Sequence, residues 1–163
     1  MSNLQQLIPA SDYMKKNLGI FAAPLEAYLN YGYALLVIAG ADEEVSEAEF
    51  NWVLNHMHMV GTPQEVMEKY KTFDYKNADL ENILSKITVE GSNWSQSRTL
   101  LYHSIQVSRA DGNYSPEEQK AVKKLAKLLK VEDDIAFALN RLVETEEAVT
   151  ALRKALLQTE ILA

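Results

Sequence analysis

The sequence predicts an all-α fold: a single-domain helical bundle with an internal pseudo-two-fold repeat of helix, acidic loop, helix, turn and helix. Three observations carry that expectation. The long segments place apolar residues at a 3.6-residue period, and no alternating run bounded by turn residues marks a strand. Six glycines and four prolines among 163 residues leave long stretches without a helix breaker. Finally, Ala41-Asp42-Glu43-Glu44-Val45-Ser46 and Ala110-Asp111-Gly112-Asn113-Tyr114-Ser115 align without a gap, and each leads into a helix-start signal.

The elements follow in order. Ser11 is a cap residue for a short helix over 11–17. A helix over 25–41 contains the longest apolar stretch, Tyr31 to Ala41. A bilayer span needs about 18 or more apolar residues, so this is a core helix. Ser46 and Glu49 form a capping box that opens a helix over 46–60. Its face is Phe50, Val53, Leu54, Met57 and Val60, and no Asp, Glu, Lys or Arg occurs from Phe50 through Gln64. Such a helix must be covered, by the N-terminal segment 1–24 or by a second chain; the N-terminal segment has no other assigned place.

Thr62-Pro63-Gln64-Glu65 starts a helix over 63–73, and further helices are expected over 78–88 and 94–110. Ser115 and Glu118 form the second capping box, with Pro116 in the first turn, and start a helix over 115–130. Here Val122, Leu125 and Leu129 oppose Lys120, Lys123, Lys124, Lys127 and Lys130, an amphipathic surface helix with a solvated lysine face. Helices over 133–143 and 146–158 complete the chain, and Gly61, Gly91 and Gly112 punctuate the pattern. The flanks extend the repeat. Tyr33, Leu36 and Ile38 fall opposite Tyr102, Ile105 and Val107, so the units are about 33–74 and 102–143 within a domain over 25–163.

Composition narrows the function. Hydrophobic residues at 47% with 24% charged describe a globular chain, and the absence of cysteine excludes disulfides and thiolate chemistry. A net charge of −7 disfavours nucleic acid as a partner. Residues 1–80 carry 5 basic and 11 acidic side chains, whereas 81–163 carry 11 and 12, so the halves present different surfaces. Met1 to Lys16 lacks a signal-peptide pattern, which points to the cytoplasm and leaves the Asn93-Trp94-Ser95 glycosylation match without meaning. Peripheral membrane association stays open.

No nucleophile elbow, P-loop, dinucleotide fingerprint or zinc-protease motif is present. His56 and His58 point about 200° apart on a helix and cannot share an ion from one face; His103 stands alone. Asp111, Asn113, Ser115 and Glu118 begin like a calcium loop. Pro116 then stands where the loop needs glycine, and Val122 where it needs a bidentate Glu, so this is no EF-hand. Two readings remain: turn and capping roles, or hard-cation binding.

Ala110-Asp111-Gly112, then Tyr114-Ser115 and Glu118, between two amphipathic helices, resembles the tellurite-resistance TerB-like family and is similar to the N-terminal domain of the co-chaperone DjlA. The resemblance covers roughly residues 25–145. It implies an all-helical, pseudo-symmetric fold, acidic residues proposed to hold a metal ion, and a place near stress or tellurite-resistance systems. Carried over by position, the metal residues are Asp42, Glu49, Asp111 and Glu118. Glu43 replaces the glycine in the first copy, which predicts a different loop shape there. The resulting expectation is a non-enzymatic module that binds a divalent cation (calcium, magnesium or manganese, with zinc the poorer fit) or a protein partner. The alternatives are a homo-oligomer built on helix 50–60, or a hydrolase whose histidine and carboxylate groups gather across the fold.

Overall fold

The computed structural model of the chain describes residues 3–89 and 95–158; Gly91, Asn93 and Trp94 lie outside them. Among the described residues the fold is all-α, with eight helices and one small sheet.

The sheet was not expected from the sequence. Strand β1 (Leu7–Pro9) pairs antiparallel with β2 (Ala22–Pro24), in the register Leu7↔Pro24, Ile8↔Ala23 and Pro9↔Ala22. Each strand has three residues, too few to show alternation, and each ends in a proline that cannot extend the ladder. Helix α1 (Asp12–Leu18) lies between them. Ser11 Oγ accepts from Met14 N at 3.2 Å, and Gly19 closes the helix at φ 62°. This segment buries Ala10, Met14, Ile20 and Ala23 in the same core as the helices that follow. Ser11 also donates to the Met59 carbonyl at 2.6 Å, which ties the segment to the end of α3.

Helix α2 (Leu25–Ala39) is buried nearly all round, as its apolar run requires. It is followed by a 3-10 turn (Gly40–Asp42), then α3 (Glu47–Met59) and α4 (Gln64–Tyr70). Val53, Met57 and Val60 are buried within the chain, while Trp52 is half-buried and Met59 is exposed. The ring of Tyr70 of α4 packs against Gly32, and its hydroxyl donates to the Tyr28 carbonyl at 2.5 Å. Helices α5 (Leu80–Ser85) and α6 (Gln96–Ser108) come next, both shorter than their sequence patterns. Helix α7 (Pro116–Leu128) has an apolar face that joins Ile38, Leu101, Ile105 and Val143 in a second cluster beside the main core; its lysines are exposed.

The last helix corrects the sequence reading. The two helices expected over 133–143 and 146–158 form one, α8 (Asp133–Leu157). Glu144 and Thr145 hold no breaker, and Thr145 Oγ1 donates back to the Arg141 carbonyl at 2.7 Å, inside a continuous ladder.

The two acidic loops share a left-handed residue at the same place. Glu43 has φ 81° and Gly112, 69 positions on, φ 80°; Gly61 and Lys130, at the same offset, have φ 91° and 56°. The first loop still differs from the second in passing through the 3-10 turn Gly40–Asp42, where the second has only a turn. Glu43 takes the left-handed conformation that Gly112 takes freely, at a strain of about 1–2 kcal/mol.

Candidate metal centre

The four carboxylates expected to form a site occupy two kinds of position. Asp42 and Asp111 sit in the loops. Asn113 N donates to Asp111 Oδ1 at 2.8 Å, and Glu44 N to Asp42 Oδ1 at 3.4 Å, so both aspartates brace their own turns. Asp42 is half-buried and Asp111 exposed.

Glu49 and Glu118 stand in the first turns of α3 and α7, each 1% exposed. The capping boxes put them there. Ser46 N donates to Glu49 Oε1 at 3.1 Å, and Glu49 N to Ser46 Oγ at 3.2 Å. Ser115 and Glu118 repeat the pair at 3.1 and 3.1 Å. One oxygen of each carboxylate is thereby satisfied. The others, Glu49 Oε2 and Glu118 Oε2, are buried without a hydrogen-bond partner.

These two glutamates are brought close enough to act on one another. Burial pushes Glu118 up to about 7, and the charges of Glu49 and Asp42 push the same way against the Ser115 hydrogen bonds. Burial also raises Glu49, and Asp111 adds to it, while the bonds from Ser46 oppose the rise. The loops are thus crossed: Asp42 of the first acts on Glu118 of the second, and Asp111 of the second acts on Glu49 of the first. Two buried carboxylates with facing lone pairs repel when both are ionised. A proton shared between them, or a cation, removes the repulsion.

The donor set suits a hard cation, being all oxygen and anionic. As the side chains stand, no three His, Asp or Glu residues among those described are arranged to hold one ion. Glu49 and Glu118 offer two ligand oxygens, and Asp42 and Asp111 complete a set only by turning from their own loops.

Sequence reasoning missed a second polar cluster. His56 and His103 are buried with ring centroids 4.1 Å apart, and Tyr31 Oη lies 2.5 Å from His103 Nδ1. Trp52 stacks on His56 at 5.0 Å. Burial pushes His56 down to about 4 and holds His103 well below its ordinary value, with His56 adding to the latter effect. Both line a cavity of about 60 Å³ with Met14, Tyr28 and Met57; none of the four carboxylates lines it. The opposed directions of His56 and His58 are seen: His58 is exposed. Only the long-range contact between α3 and α6 pairs His56 with His103, and no local pattern signals it.

The comparisons with known proteins agree with this architecture. Residues 33–142 match the family model described as tellurite resistance protein TerB. Among solved structures, the fold is similar to the crystal structure of a tellurite resistance protein from Nostoc punctiforme PCC 73102. The TM-score is 0.74 at 25% sequence identity, covering 91% of this chain and 92% of that one. No curated protein matches. With the family model spanning both acidic loops and the helices they open, the chain belongs to the TerB family.

Proposed function

We propose that the chain is a non-enzymatic TerB module that binds a divalent cation between its two acidic loops, as part of a tellurite-resistance or stress-response system of the cytoplasm. The observation that carries the reading is the pair of orphaned, buried oxygens, Glu49 Oε2 and Glu118 Oε2. Capping explains one oxygen of each side chain and leaves the second unexplained. Burying a polar atom without a partner is costly, and more so when it carries charge. A cation between the loops supplies that partner. It would draw Asp42 and Asp111 inward, and so couple ion binding to the surface the loops present to a protein partner. Calcium, magnesium or manganese fits such an oxygen set better than zinc, which favours nitrogen and sulfur.

Thermal unfolding tests this. Millimolar calcium, magnesium or manganese should raise the melting temperature of the wild type. At a hundredfold excess over Kd the gain is about 2.7 kcal/mol, or roughly 5–10 °C for a chain of this size. Glu118→Gln and Asp111→Asn should each abolish the rise while leaving the protein folded. A wild type whose melting no divalent ion moves would sink the proposal.

A further inference from the structure

Helix α8 has two edges. One faces the bundle: Val143 is buried, Tyr102 donates to the carboxylate of Glu146 at 2.6 and 2.7 Å, and Arg109 holds Glu147 through two bonds of 2.8 Å. The other edge looks away. Along it Ala138, Leu142, Thr145, Val149, Leu152 and Leu156 succeed one another at alternating steps of four and three residues, and all six are exposed. Leu142 is 45% exposed, Val149 48%, Leu152 60% and Leu156 73%.

Alternating steps of three and four are the spacing of a coiled-coil seam. A helix that serves only its own bundle presents polar residues on its far side. Here the far side is the seam, and from Glu144 to Gln158 every residue except Glu146 is exposed. So short a helical arm is marginal in water without packing.

We propose that this seam pairs with the same seam of a second copy of the chain, the two α8 helices running antiparallel. Charge selects the occupant and the direction. Glu146 and Arg153 stand beside the seam, one position past Thr145 and Leu152, and Arg153 has no ion-pair partner among the described residues. With Val149 opposite Leu152 of the second copy, and Thr145 opposite Leu156, antiparallel packing sets each Glu146 beside the other copy's Arg153. Glu146, already bonded to Tyr102, keeps lone pairs for this. Parallel packing leaves Arg153 beside Ala148 of the second copy. An anionic membrane surface suits the seam less well, because it would set Glu146 against like charge on a chain of net charge −7.

The whole chain is the right sample, and its lack of cysteine lets introduced thiols report the pairing. Sedimentation velocity over a concentration series should show a monomer–dimer equilibrium. Leu152→Glu should weaken it at least about tenfold, and Val149→Lys likewise, with circular dichroism unchanged because both sites are exposed. Thr145→Cys mixed with Leu156→Cys should form the mixed disulfide faster than either variant alone. A wild type monomeric at every concentration overturns the proposal, as does a dimer indifferent to both seam variants. Thr145→Cys cross-linking to itself as fast as to Leu156→Cys overturns the antiparallel arrangement. So does a wild type that floats with anionic vesicles yet stays monomeric in solution.

Discussion

Glu43 and Gly112 hold nearly one backbone conformation, φ 81° and 80°, with opposite ease. A Cβ on Gly112 would meet nothing within 4 Å, so Gly112→Ala isolates the cost of left-handed backbone. It should destabilise by about 1–2 kcal/mol in denaturant unfolding. Glu43→Gly relieves the same strain but adds freedom to the unfolded chain, so it should fall within about 1 kcal/mol of wild type. The asymmetry of these two results would show that both loops need the turn, whatever residue each carries.

The helices are placed by a few close approaches. A Cβ on Gly32 would lie 2.3 Å from the Tyr70 ring, which is buried and tethered through its hydroxyl to the Tyr28 carbonyl. Alanine is the better helix former by about 1 kcal/mol. Gly32→Ala should nevertheless cost at least about 2 kcal/mol, because α2 and α4 would have to part. The check is calorimetry: a fall of roughly 4–8 °C. A melting point that rises would mean propensity outweighs the packing of Tyr70.

Across the molecule, two buried clusters pull stability in opposite directions with pH. His56 takes a proton at 6.5 when unfolded and only near 4 when folded, so its contribution is present above pH 6.5 and lost as pH falls toward 4. Glu118 is displaced upward, from 4.5 to about 7, so its contribution is present below pH 4.5 and lost as pH rises through 7. In the ion-free protein the two slopes offset one another between about pH 4.5 and 6.5, which leaves a loss from His56 below that plateau and a loss from Glu118 above it. Glu118→Gln should remove the loss above about pH 6.5, and His56→Phe the loss below about pH 4.5, in melts taken across pH. A bound divalent cation should also flatten the upper limb, since it stabilises the ionised pair, and its affinity should climb with pH up to about 7.

What the sequence by itself determined is local. The capping boxes at Ser46 and Ser115, the cap at Ser11, the 3.6 period and the solvated lysine face of α7 all arise within a few residues of each other, so a one-dimensional reading finds them. Boundaries set by weaker local forces were missed. The three-residue strands carry too short a pattern, and the repeat suggested a break before residue 146 where the backbone has no reason to stop. Only the tertiary structure decided which capping glutamates face each other, that each loop's aspartate acts on the other loop's glutamate, and that His56 meets His103. Those pairings join residues far apart in sequence, and their energetics come from removing charged and polar groups from water. That is a property of the packed core, and no stretch of the chain carries it alone.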